Sequence, residues 1–122
     1  MPSCDPIGII RTPIDTASEA PRQGELSNIP GEIVLDQRVT DGLQGLQTGA
    51  IDVIWYADRA DRETLLIDAG TRGVFASRSQ DRPNPVCITR CDIVEMSGRR
   101  LRVDGVDMLD RTPVLDLKVP LD

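Results

Sequence analysis

Between Arg78 and Pro85 the chain reads RSQDRPNP, with two guanidiniums and two prolines in one polar run. Arginine presents a planar fork of N–H donors that matches carboxylates and phosphates. Pro83 and Pro85 fix their own φ and push Arg82 and Asn84 out of the helical region. A loop stiffened in this way loses less entropy when it grips something. Arg82 and Asn84 are candidate supports of that loop; the plainer alternative is a surface ion pair between Asp81 and Arg82. A second polar cluster, Pro21-Arg22-Gln23, lies in a long stretch from Asp15 to Gly31 that carries Pro21, Pro30 and two glycines. Taken alone it reads as a turn. A third runs from Asp107 through the turn Asp110-Arg111-Thr112-Pro113 to Asp116 and Lys118, which are two apart on one face of a short strand. They read as a satisfied ion pair or as a polar helper.

What is missing narrows the chemistry. There is no histidine, which removes the usual general base and the commonest metal ligand. Cys87 and Cys91 are four residues apart, about 13 Å on a strand. That spacing reads as two small buried apolar groups, and no metal is expected. No Gly-rich phosphate loop or dinucleotide fingerprint is present.

The elements that must hold these clusters are short. Ile7–Ile10, Glu32–Leu35, Ile51–Ala57, Val86–Glu95, Arg99–Val106 and Pro113–Leu117 read as strands. A possible bulge falls near Arg90, and Ser97-Gly98 is a hairpin turn. Val86 and Ile88 are taken as one apolar face of the fourth strand; Leu101 and Val103 alternate with Arg100, Arg102 and Asp104. Val39–Leu46 reads as one or two helical turns with Thr40 as cap. Leu65–Ile67 and Gly73–Ala76 flank a glycine-bearing turn. The expected fold is all-β: one small barrel of short, mostly antiparallel strands over residues 1–122, with at most one or two short helical turns.

A chain of 122 residues fits one domain. No apolar run is long enough to span a bilayer, and no signal pattern opens the chain, so a cytosolic protein without a membrane role is expected. Three cysteines, Cys4, Cys87 and Cys91, suit a reducing compartment. The net charge of −6 argues against holding nucleic acid by bulk electrostatics. A stripe of Arg78, Arg82, Arg90, Arg100 and Arg102 offers a local positive face instead.

In order along the chain, the stretches IGIIRTP (7–13), PRQ (21–23), GLQGL (42–46), GVFASRS with RPNP (73–85) and GVDMLDRTPVLDLK (105–118) resemble the TsaA-like family, also called TrmO or YaeB-like. The resemblance spans nearly the whole chain. It implies a β-barrel methyltransferase that binds S-adenosyl-L-methionine, forms homodimers and methylates N6 of threonylcarbamoyl-adenosine at position 37 of tRNA. Carried over by position, it puts cofactor contacts on Pro21, Arg22, Gln23, Arg78, Leu109, Asp110, Arg111 and Thr112. Arginine and glutamine suit the methionine carboxylate and the nucleoside edges, and Asp110 suits a ribose hydroxyl or the ammonium. Methyl transfer from a sulfonium is mainly a positioning task, so it tolerates the missing histidine. Asp116 is the candidate catalytic helper, oriented by Lys118. The family pattern carries a histidine after the Trp-bearing strand, a proline at the Gln80 position and a glycine at the Arg111 position. These departures keep two other readings open: a cofactor-binding sensor without transfer activity, and a methyltransferase for a small metabolite. A ligand-free structural dimer is a third.

Overall fold

The computed structural model describes residues 3–16 and 28–121. Pro21, Arg22 and Gln23 lie outside the described residues. Six strands close into an antiparallel barrel: β1 (Gly8–Arg11), β2 (Pro30–Leu35), β3 (Gly49–Tyr56), β6 (Val86–Ser97), β7 (Arg100–Asp104) and β8 (Thr112–Lys118). Their order around the barrel is β1-β2-β7-β6-β3-β8, with β8 returning to β1. Two further strands, β4 (Leu66–Ile67) and β5 (Arg72–Gly73), form a small hairpin of their own. Among the described residues, helical structure is confined to two 3-10 segments, Gln37–Leu43 and Val74–Ala76. The all-β barrel expected from the short strands is therefore present. Closure leaves no unpaired edge among these six strands, which a flat sheet of the same length would expose.

Alternation builds the core. Ile10, Ile33, Ile51, Val53, Trp55, Leu101, Val103 and Val114 point inward and are buried, and Ile14, Val106 and Met108 pack against them. Gly8 is where β1 comes closest to β2: any side chain there would collide with the Val34 carbonyl and the Leu35 Cα. The absence of a Cβ is what allows that approach.

Two bulges set which side chains face in. In β8 the register against β3 shifts between Ile54 and Trp55, with Trp55 opposite Val114 and Ile54 opposite Asp116. The extra residue, Leu115, turns the following alternation over. Leu117, opposite Val53, packs on the core, while Asp116 and Lys118 face outward and are exposed. In β6 the shift lies between Ile93 and Glu95, not near Arg90. The 12-residue β6 bends there, as it leaves β3 and continues along β7 alone.

Several local readings are corrected. Val86 and Ile88 are on the outer face, 44 % and 43 % exposed; the inward positions are Cys87, Thr89, Cys91 and Ile93. Both faces of this strand carry apolar residues because a long excursion, residues 57–85, leaves the barrel beside it. Thr40 is no cap: it lies inside the 3-10 segment and donates to the Gln37 carbonyl, and the N-cap position belongs to Asp36. Asp81 and Arg82 do not pair. Asp81 accepts the Asp61 N–H, and Arg82 turns to backbone carbonyls.

Candidate functional site

One end of the barrel is ringed by two structures that the sequence separates. The first is the turn 107–113, which is sewn to the chain just after β1. Asp110 N–H donates to the Ile14 carbonyl and Arg111 N–H to the Ile10 carbonyl, at 2.9 Å each. In return, Thr12 N–H and Arg11 Nε both donate to Asp110 Oδ1, and the Thr12 hydroxyl donates to the Met108 carbonyl. Arg11 holds the Asp110 carboxyl below its ordinary range through that hydrogen bond; desolvation opposes the shift, and the Thr12 N–H adds to it. Meeting both partners bends the chain so far that Arg111 sits at φ +68, in the left-handed region.

The second structure is the arginine loop. Arg82 is its hub. Its Nη2 donates to the Val74 carbonyl at 2.6 Å and its Nη1 to the Ser79 carbonyl at 3.0 Å, with the Ser77 carbonyl 3.4 Å from both. Ser77 and Ser79 hydroxyls accept the N–H groups of Ser79 and Asp81. Pro85 is fully buried, and its carbonyl accepts the Ala57 N–H, which ties the end of the loop back to β3. Arg78 reaches along the barrel wall, with Nη2 on the Ile88 carbonyl at 3.0 Å.

Between turn and loop lies an open hollow of about 1210 Å³. Arg78, Arg82, Leu109, Asp110, Arg111 and Thr112 all line it. The structure thus brings together six of the residues singled out in the sequence, from two stretches some thirty positions apart. Arg82 supports the loop, as expected. Asp110 differs from its expected role: its Oδ1 is taken by Arg11 and Thr12, so it acts as a pin of the turn. Asn84 is exposed and is not among the lining residues. Asp116 and Lys118 are not either: they stand on the outer wall, and Asp116 Oδ1 accepts the neighbouring Leu117 N–H.

Trp55, Tyr56, Arg59, Arg72 and Asp107 also line the hollow, and of these only Asp107 falls in one of the three polar clusters picked out above. Trp55 Nε1 donates to Thr89 Oγ1 at 3.0 Å, and Thr89 Oγ1 donates to Asp107 Oδ1 at 2.7 Å. A polar Thr89 at an inward strand position, 3 % exposed, was the available signal. The apolar Val86 and Ile88 on the outer face of β6 mask that signal in the alternation. Cys87 also lines the hollow and Cys91 lies in the core. Burial pushes their thiols up to about 11 and about 12, with the Asp107 charge adding to both, so both stay protonated and poorly nucleophilic.

The proposed basic stripe is largely spent internally. Arg90 pairs with Asp52, Arg100 with Glu32 and Arg102 with Glu95. Among the described residues no group of three or more His, Cys, Asp or Glu could hold a metal ion. No helix there is long and apolar enough to cross a membrane.

A closed six-stranded barrel with a donor-lined hollow at one end defines a small β-barrel ligand-binding architecture. Residues 9–121 match the family model described as the tRNA-methyltransferase O N-terminal domain, and the chain belongs to that family. It is 44 % identical over 120 residues to a probable S-adenosyl-L-methionine-binding protein of Halobacterium salinarum, covering 96 % of this chain and 97 % of that one. Over 52 residues it is 40 % identical to the mouse tRNA (adenine(37)-N6)-methyltransferase, covering 43 % of this chain and 12 % of that protein. The crystal structure of TrmO from Pseudomonas aeruginosa superposes with a TM-score of 0.84 at 30 % identity, covering 99 % of this chain. The chain spans just over half, 56 %, of that solved chain.

Proposed function

We propose that this protein binds S-adenosyl-L-methionine in the hollow and transfers its methyl group to an adenine N6 of tRNA, with threonylcarbamoyl-adenosine at position 37 as the acceptor. The observation that carries the reading is the convergence of Arg78 and the turn 109–112 on one cavity. The lining suits the cofactor. Arg78 and Arg111 offer guanidiniums to a carboxylate. Tyr56, half-buried in the lining, offers aromatic surface to a purine or to a sulfonium cation. The volume exceeds the usual range for one small ligand, which leaves room for part of an acceptor. When bound, the cofactor supplies an activated methyl group. The chain's own task is to hold donor and acceptor in line, and the stiff loop and the pinned turn suit that task.

Pro21, Arg22 and Gln23 complete the cofactor contacts in this reading. The described chain runs towards them from Ile14 and Asp15, both of which line the hollow. A cytoplasmic homodimer is part of the same proposal. Phe75, Leu65 and Leu66 are exposed on the excursion, which gives a second copy apolar surface to cover. The names of the Halobacterium and mouse relatives support the cofactor and the acceptor respectively.

Calorimetric titration with S-adenosyl-L-methionine tests the reading. Arg78→Ala is expected to weaken binding by about tenfold or more, the loss of a charge-assisted contact. Unchanged affinity in that variant would mean that the cofactor does not sit here. A second reading, a cofactor sensor without transfer activity, draws on one observation: Arg111, which lines the hollow, stands at φ +68 where the family pattern carries a glycine. Labelled cofactor with tRNA lacking N6-methylation separates the two, since the sensor binds and does not transfer.

A further inference from the structure

Methyl transfer to nitrogen needs a place for the proton that the nitrogen gives up, and Asp116, on the outer wall, cannot provide it to the hollow. The side-chain relay behind the hollow can. Trp55 and Thr89 are 7 % and 3 % exposed, so both polar groups had to find partners inside the barrel. An indole N–H only donates. Thr89 Oγ1 therefore accepts from Trp55, and its own proton is left to point at Asp107 Oδ1. The relay has one direction, and it ends on a group that must accept. That arrangement aims the Thr89 hydroxyl proton at the Asp107 carboxyl, which lies at the cavity wall.

We propose that Asp107 is the proton acceptor of the transfer step, with Thr89 and Trp55 as its positioning residues. The inference rests on the methyltransferase reading above. As the lone pair of the acceptor nitrogen takes the methyl group, the methyl–sulfur bond of the bound cofactor would break and leave its electron pair on sulfur, so that a neutral thioether departs; the N–H bond then breaks, its electron pair stays on nitrogen, and the proton passes to the Asp107 carboxylate. Water in the open hollow takes that proton on once product leaves. The groups around Asp107 do not compete for the role. Cys87 and Cys91 on β6 are thiols held protonated by burial. Arg78 and Arg82 in the loop and Arg111 in the turn are cations, and Asp110 is spent on Arg11 and Thr12.

Trp55 is the only tryptophan in the chain, so its fluorescence reports on the relay without any ligand. In the wild type, the emission is expected to change as acid protonates Asp107, and Asp107→Asn and Thr89→Val are expected to abolish that transition. Thr89→Ser, which restores the hydroxyl, should keep it. With tRNA as acceptor, Asp107→Asn should lower kcat about a hundredfold, the usual scale for losing a general base, while cofactor affinity stays within about threefold of wild type. Thr89→Val should lower kcat less, and Thr89→Ser should recover it. Asp107→Asn with near-normal kcat, an acid transition that persists in that variant, or a loss of cofactor affinity matching the loss of rate would each overturn the assignment. So would a wild type that binds cofactor and moves no methyl group, although cofactor binding would stand. A wild type that binds no cofactor refutes the underlying reading, while the fluorescence transition still decides whether the relay exists.

Discussion

Arg111 shows what a single residue costs and what it does. Its φ of +68 is a conformation that an L side chain pays for, and its side chain is 76 % exposed, so burial does not repay the strain. Its ion pair with Asp110 is long, at 4.0 Å, and Asp110 is already held by Arg11 at 2.9 Å. What holds the position is the backbone, through the Arg111 N–H on the Ile10 carbonyl. Glycine would keep that hydrogen bond and relieve the strain. Arg111→Gly is therefore expected to raise stability by about 1 kcal/mol in urea unfolding. The same change removes a guanidinium from the rim of the hollow, so affinity for an anionic ligand should fall. A variant that gains stability and keeps full ligand affinity would show that the Arg111 guanidinium does not contact the ligand.

At the scale of elements, the arginine loop depends on one guanidinium meeting carbonyls that no other group serves as well. Arg82 spans Val74, Ser77 and Ser79 with a planar fork, a geometry that an ammonium cannot reproduce. Arg82→Lys keeps the charge and loses the fork. It is expected to cost about 1–3 kcal/mol through the charge-assisted bonds lost at the loop carbonyls, the Val74 carbonyl keeping the Ser77 N–H and hydroxyl, with faster amide exchange confined to residues 57–85 while the barrel strands stay protected. Protection of that segment equal to wild type would show that the prolines alone hold the loop. The sequence made this loop legible as rigid, because Pro83 and Pro85 act locally. It pointed to Arg82 as a support of the loop but not to its partners, since those are backbone carbonyls and carry no side-chain signature. The same contrast runs through the barrel. The strands were readable from alternation, but the inward face of β6 was not, because Val86 and Ile88 are apolar on the outside. Asp116 was misplaced for a related reason. The bulge at Leu115 reverses the alternation of β8, and nothing in the residue types announces it. The convergence of turn and loop was legible only through the family resemblance, because it follows from the order β1-β2-β7-β6-β3-β8 around the barrel.

For the whole molecule, the question is how a chain of net charge −6 would hold tRNA. Nucleic-acid affinity usually grows with each phosphate neutralised and falls with salt in proportion. On the barrel wall that route is closed, because Arg90, Arg100 and Arg102 already face Asp52, Glu32 and Glu95. Arg72 is likewise matched by Asp68 on the excursion. The guanidiniums best placed for phosphate are those lining the hollow, Arg59, Arg78 and Arg111. Binding of an anticodon stem-loop, followed by fluorescence anisotropy between low and physiological salt, should then show a shallow dependence. The slope of log K against log salt is expected at about −3 or weaker, the value for three or so phosphates neutralised. Arg100→Ala on the wall should leave both affinity and slope unchanged, whereas Arg59→Ala should reduce the slope by about one. A slope twice as steep, or a marked loss on changing Arg100, would mean that the wall pairs open to meet the backbone. Recognition would then rest on the barrel surface and not on a nucleoside drawn into the hollow.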